Sequence, residues 1–212
     1  MSEKKVKIKI CGLKNVSELN CAADYGALWY GMIFFAKSPR NISYKQAEKL
    51  INKTPKSIKP VAVTVNPSID FVEKLICLGI RDIQLHGNET IKFCSRLKKT
   101  YKLNIIKAIN VKSSEDLNLV EKYKKFSDWF LFDYKDKSEI GGTGKSFDWN
   151  IVANKKLNFN WILSGGLDYN NVVHAINITG AKALDVSSGV EVEKGKKSIE
   201  LIKRFCSTIN DY

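Results

Sequence analysis

Short apolar runs alternate with longer stretches of helical spacing along the whole 212-residue chain. The runs Val6–Ile10, Leu28–Phe34, Val61–Val65, Asp82–Leu85, Ile105–Ile109, Trp129–Phe132, Trp161–Leu163 and Ala183–Val186 have the length and apolar density of buried strands. Between them, apolar residues spaced for one helix face predict helices near Val16–Tyr25, Tyr44–Asn52, Ile69–Leu78, Thr90–Lys99, Glu115–Lys125, Asn150–Lys155, Asn170–Asn177 and Ser198–Cys206. Asn15 and Ser43 stand where N-caps belong, and Gly79 where a helix would end in a left-handed residue. Eight strand–helix pairs in strict order predict parallel strands joined by helical crossovers. An open doubly wound sheet and a closed barrel both satisfy that order. The count of eight and the short connections favour the α/β fold of a (β/α)8 barrel, the TIM barrel. No linker or low-complexity tract divides residues 1–212, which are read as one barrel domain.

In such a barrel the chemistry gathers where strands end and βα loops begin. The eight exits read Cys11-Gly12, Ala36–Arg40, Asn66-Pro67, His86-Gly87, Asn110, Asp133, Ser164-Gly165-Gly166 and Ser187-Ser188-Gly189. Small, polar and titratable residues replace apolar ones at nearly every exit, as a catalytic rim requires.

Two groups there can move protons. Cys11 ends the first strand and Asp133 the sixth, three steps apart in a ring of eight, so the two face each other across the mouth. That separation suits one group removing a proton while the other donates one. A thiol acts as a base only as thiolate, which nearby positive charge favours. The plainer alternatives are a small buried hydrophobe for Cys11 and a turn residue for Asp133. Strand parity places Lys9 on the same face as Cys11, and Asp185 on the same face as Ser187. If Ile8 and Ile10 pack on helices, Lys9 points into the barrel, and Asp185 on the neighbouring eighth strand is its expected ion-pair partner. Gln84 and His86 share a face by the same argument, leaving His86 either a hydrogen-bonding group of the rim or a core histidine. His174 falls within a helix and reads as structural.

Glycines supply the rest of the candidate site. Gly165, Gly166, Ser187, Ser188 and Gly189 let backbone N–H groups of adjacent exits approach a phosphate. Gly141-Gly142-Thr143-Gly144-Lys145 reads as a lid, with Gly142 and Gly144 near the substrate; its spacing is not that of a nucleotide-binding loop. Arg40, one of four arginines, has the planar fork that grips a carboxylate.

Composition narrows the function classes. Net charge is +13, with 19 basic and 8 acidic residues over 1–106 against 16 and 14 over 107–212. The lysines are spread along helix-like stretches, which reads as a solvated surface and not as a nucleic-acid patch with interleaved aromatics. Five widely spaced cysteines without a C-x-x-C pair, and only two histidines, predict no metal site and a reducing, cytoplasmic setting. Neither a signal-peptide run near Met1 nor a stretch of bilayer-spanning length occurs, so no membrane partner is expected.

Six runs carry a resemblance to a known family: Lys9-Ile-Cys-Gly-Leu13, Ser38-Pro-Arg40, Gln84-Leu-His-Gly87, Gly141-Gly-Thr-Gly-Lys-Ser-Phe-Asp-Trp149, Leu163-Ser-Gly-Gly-Leu167 and Asp185-Val-Ser-Ser-Gly-Val-Glu191. In this order, between about Lys7 and Phe205, the chain resembles the phosphoribosylanthranilate isomerases of tryptophan biosynthesis. The resemblance implies an aldose–ketose isomerisation (an Amadori rearrangement) of a phosphosugar, without cofactor or metal. It assigns Asp133 as general acid and Cys11 as base. It also assigns Arg40 to the anthranilate carboxylate and the glycines of the last two exits to the phosphate. His86, Gly142, Gly144 and Asp185 complete the implied substrate contacts, on a monomer or homodimer. The nearest rival is the aminoaldose isomerase of histidine biosynthesis, which usually carries an aspartate at the first exit; Cys11 discriminates. A ribulose-phosphate epimerase would want metal ligands at several exits.

Overall fold

A computed structural model describes residues 5–133, 148–153 and 157–212. Eight parallel strands close into a barrel in chain order: β1 (Lys7–Cys11), β2 (Trp29–Phe34), β3 (Lys59–Thr64), β4 (Asp82–Leu85), β5 (Asn104–Asn110), β6 (Trp129–Asp133), β7 (Trp161–Leu163) and β8 (Ala183–Val186). The outer helices are α1 (Val16–Asp24), α2 (Tyr44–Ile51), α3 (Ile69–Cys77), α4 (Ile91–Lys99), α5 (Leu119–Tyr123), α6 (Val172–Thr179) and α7 (Ile199–Asn210). Closure brings β1 onto β8 with Lys9 opposite Asp185. No helix among the described residues is long and apolar enough to cross a membrane.

Local chemistry explains where the helices start. Asn15 accepts the Glu18 N–H, and Glu18 answers by accepting the Lys14 N–H. Ser43 and Gln46 form a complete capping box on α2. Ser68, Thr90 and Ser198 cap α3, α4 and α7 through their side-chain oxygens, each such cap being worth about 1 kcal/mol. Gly79 follows α3 with φ +89, a backbone that only glycine takes without strain.

Alternation along the strands then sorts the core into two layers. Outward residues such as Ile8, Ile10, Ile83, Phe130 and Phe132 pack under the helices. Inward residues include Trp29, Val61, Val63, Ile106, Leu131 and Ile162, which fill the barrel interior. The inward face changes character along the strands: Trp129, Leu131, Asp133 on β6 and Ala183, Asp185, Ser187 on and after β8 run from apolar to polar. The lower end is closed by an edge-to-face pair of Trp29 and Trp129, with Lys7 over the Trp129 ring. The upper end is left to the polar residues.

Three segments differ from the sequence reading. The expected helix Glu115–Lys125 is a 3-10 turn, Ser114–Asn118, followed by the five-residue α5. Asp116 takes the Lys112 and Ser113 N–H groups there, and the Ser-Glu-Asp-Leu-Asn stretch favours turns over helix. At the expected helix Asn150–Lys155 the described part is a 3-10 turn, Trp149–Ile151, started by Asp148. Finally, an unanticipated hairpin of β9 (Glu191–Glu193) and β10 (Lys196–Lys197) precedes α7.

Candidate active site

Cys11 is the last residue of β1, buried and turned inward beside Gly31. A Cβ on Gly31 would lie 2.9 Å from the Cys11 Sγ, so glycine at that point of β2 makes the room the thiol occupies. The Ser187 hydroxyl donates to the Cys11 carbonyl at 3.1 Å, tying the first exit to the eighth. Burial pushes the Cys11 thiol up, while the ammonium groups of Lys9 and Lys197 pull the other way.

Asp133 ends β6 and is partly exposed, with His86 Nε2 3.4 Å from its Oδ2. His86 stands one residue past β4, and its Nδ1 meets Gln84 Nε2 at 3.2 Å. Parity brought Gln84 and His86 to one face, and the closed barrel brings that face to Asp133.

Below the rim, Lys9 Nζ and Asp185 Oδ1 form a 2.9 Å ion pair with no exposure of the lysine. The pair expected from strand parity and barrel closure is present. Burial acts against the Lys9 ammonium, but Asp185 and Cys11 outweigh it and raise its pKa above the ordinary lysine value. Burial likewise pushes the Asp185 carboxyl up, with Lys9 opposing. Asp133 raises it further and His86 lowers it. The Ser164 hydroxyl is 3.5 Å from the second Asp185 oxygen. Asp185 is thus engaged within the protein, deeper than a rim contact.

Gly165 and Gly166, with φ +91 and +67, turn the chain out of β7. Asn171 holds the resulting loop: its Nδ2 donates to the Gly166 carbonyl at 2.8 Å and its Oδ1 accepts the Asp168 N–H at 2.9 Å. A Cβ on Gly189 would overlap the Leu167 carbonyl, so this glycine is what lets the seventh and eighth exits interlock. Ser188 opens a 3-10 turn, Ser188–Val190. Gly142, Gly144 and the rest of the glycine-rich run from Gly141 to Lys145 lie outside the described residues.

Arg40 departs from its expected position as an open grip. It is buried, and its Nε and Nη2 close on Glu191 at 2.7 and 2.6 Å. The fork does hold a carboxylate, but the protein's own; among the described residues its Nη1 is the edge without a hydrogen bond. Lys197 Nζ joins the cluster, donating to Glu191 Oε1 at 2.7 Å and to the Ser187 carbonyl at 2.8 Å. Burial opposes ionisation of Glu191, yet Arg40 and Lys197 hold its carboxyl down at about 2.

The sequence reading missed Lys197 as a member of the site, because strands of three and two residues carry no legible period. It also missed the support of the fourth exit. Lys107 Nζ, buried behind the sheet, donates to the Leu85 and Gly87 carbonyls and to Glu89. Glu89 in turn accepts the Asn66 and Gly87 N–H groups. These bonds fix the turn that carries His86. The available signal was Lys107 itself: a charge inside an apolar run must find a partner. His174 lies on α6 with its ring against the edge of Trp149.

The family model described as N-(5'phosphoribosyl)anthranilate (PRA) isomerase matches residues 8–208. The N-(5'-phosphoribosyl)anthranilate isomerase of Rhizobium etli is 42% identical over 209 residues, covering 97% of this chain and 94% of that one. A crystal structure of phosphoribosyl anthranilate isomerase in complex with reduced 1-(o-carboxyphenylamino)-1-deoxyribulose 5-phosphate superposes with a TM-score of 0.85. It is 31% identical and covers 98% of this chain and 100% of that one. A Thermotoga maritima structure, of monomers of a dimeric phosphoribosylanthranilate isomerase, gives 0.84 at 31% identity with the same coverage.

Proposed function

The chain belongs to the N-(5'-phosphoribosyl)anthranilate isomerase family, and we propose that Cys11 and Asp133 are the base and acid of its reaction. The enzyme converts N-(5'-phosphoribosyl)anthranilate to 1-(2-carboxyphenylamino)-1-deoxyribulose 5-phosphate, a step of tryptophan biosynthesis. The observation that carries the residue assignment is the closed barrel with an inward thiol ending β1 and an inward carboxyl ending β6.

Asp133 delivers its proton to the ribose ring oxygen. The C1–O bond breaks as the anilino nitrogen donates its lone pair, giving an open-chain protonated imine (iminium). Cys11, as thiolate, then takes the C2 proton, and the released electron pair forms C1=C2 while the C=N pair moves onto nitrogen. The resulting enolamine tautomerises to the ketone. Lys9 and Lys197 favour the thiolate against burial. Glycines of the seventh and eighth exits, with Ser188, supply N–H groups to the phosphate. Arg40 offers Nη1 to the anthranilate carboxylate, and His86 lines the substrate side of the fourth exit beside Asp133. Asp185 and Ser187 serve by holding Lys9 and the Cys11 backbone in place.

The reading also takes residues 1–212 as one catalytic domain, since the rim draws on strands from β1 to β8. The five free cysteines fit a reducing cytoplasm, and the scattered lysines a solvated surface with no nucleic-acid partner. A monomer or homodimer suffices, because the acid, base and phosphate loops all come from one chain.

The substrate is tested by following the fluorescence of N-(5'-phosphoribosyl)anthranilate in the presence of the protein, with the related aminoaldose phosphate of histidine biosynthesis assayed in parallel. The reading expects rapid loss of fluorescence and little turnover of the second compound. Turnover of the aminoaldose alone would move the chain to the rival specificity.

A further inference from the structure

Gln84 is buried within the barrel, and its register neighbours on β3 and β5 are Val63 and Ile106. Neither can bond a carboxamide, and an amide buried without a partner costs on the order of 1–3 kcal/mol. The Gln84 Oε1 has no partner among the described residues. The one side-chain bond of the amide runs from Nε2 to His86 Nδ1, at 3.2 Å. On the far side of the ring, His86 Nε2 faces Asp133 Oδ2 at 3.4 Å.

This sequence of atoms decides where a neutral imidazole keeps its proton. An amide N–H aimed at Nδ1 requires Nδ1 to be the acceptor, which leaves the proton on Nε2, pointing at the carboxylate. Turning the amide over would place the proton on Nδ1 and set the Nε2 lone pair against an ionised Asp133. Two acceptors would then face each other at 3.4 Å. With Asp133 ionised, only the first arrangement is attractive.

We propose that Gln84 is a positioning residue that holds His86 in its Nε2–H tautomer, so that the neutral imidazole donates to Asp133 as that group becomes a carboxylate. The catalytic part rests on the reading of Asp133 as the acid. Once Asp133 has given its proton to the ring oxygen, negative charge develops on its oxygens, and a fixed donor is already in place. The same donor does less for the protonated acid, so the bond strengthens along the reaction coordinate.

The chain has two histidines, His86 and His174, so the test is spectroscopically simple. Long-range 15N–1H correlation spectra of the labelled protein, recorded at about pH 8 where free imidazoles are neutral, report the tautomer of each ring. His174→Gln assigns the signals. The expected result is a protonated Nε2 and a bare Nδ1 on His86. Gln84→Glu, which only accepts at that position, should move the proton to Nδ1, and Gln84→Met should leave a mixture. Turnover of Gln84→Met should fall on the order of tenfold in kcat with KM within about twofold, the mark of an interaction made in the transition state. A proton on Nδ1 in the wild type, or a tautomer ratio indifferent to residue 84, overturns the proposal. The wild-type spectrum needs no variant to fold. It is also independent of whether Asp133→Asn loses activity, which bears on the acid assignment alone.

Discussion

Replacing Asp185 by asparagine is expected to destabilise the protein by about 3–5 kcal/mol, the cost of leaving a buried charge without its partner. Lys9 is fully buried and reaches the Asp185 carboxylate at 2.9 Å. Asparagine keeps the shape and one acceptor oxygen but removes the negative charge, so the ammonium must either stay uncompensated or give up its proton. The Lys9 pKa lies above the ordinary value only because Asp185 and Cys11 outweigh burial; without Asp185 the largest opposing influence is gone. For a chain of this size the loss corresponds to a fall in Tm of roughly 6–20 °C, readable by thermal denaturation at neutral pH. The double replacement Lys9→Met with Asp185→Leu should recover much of it, because apolar side chains of similar volume satisfy the interior without any charge to compensate. A single mutant as stable as the wild type would mean that water or another group reaches Lys9.

Asp133→Asn is the second large effect, and it falls on catalysis instead of stability. The side chain is partly exposed and ends its strand, so an amide of the same shape fits. What is lost is the transferable proton. Ring opening would then have to expel an alkoxide without general-acid assistance, and turnover should drop at least about 10²-fold. KM should change little, since Asp133 is proposed to act on the ring oxygen in the transition state and not to anchor the ground state. Steady-state kinetics on the isomerase substrate, paired with a melting curve, separates this outcome from unfolding. Turnover within a few-fold of wild type would remove Asp133 from the mechanism.

The barrel was legible because eight strand–helix repeats leave few topologies, and because inward polar residues gathered at the strand ends. Strand parity and the adjacency of first and last strands in a closed ring are enough to bring Lys9 to Asp185. Other features depend on contacts that periodicity cannot carry. Arg40 was readable as a carboxylate-binding residue, but its partner Glu191 sits 151 residues away on a hairpin too short to show a pattern. Lys197, which binds both Glu191 and Ser187, is hidden for the same reason. His86 and Asp133 stand on strands separated by β5, so their approach follows from barrel curvature and not from register. The helix expected at Glu115–Lys125 failed where polar side chains competed for the backbone, a local effect that apolar spacing does not register.

Cys11 is the group that removes the C2 proton. The most direct test of that role sets wild-type protein beside Cys11→Ala in the fluorescence assay with N-(5'-phosphoribosyl)anthranilate. Alanine leaves β1 and the Ser187 bond to the residue 11 carbonyl intact, and deletes only the sulfur. Fast decay is expected with the wild type, and a rate at least about 10²-fold lower with the variant. Equal decay with both proteins would contradict that role, and another group would have to be the base.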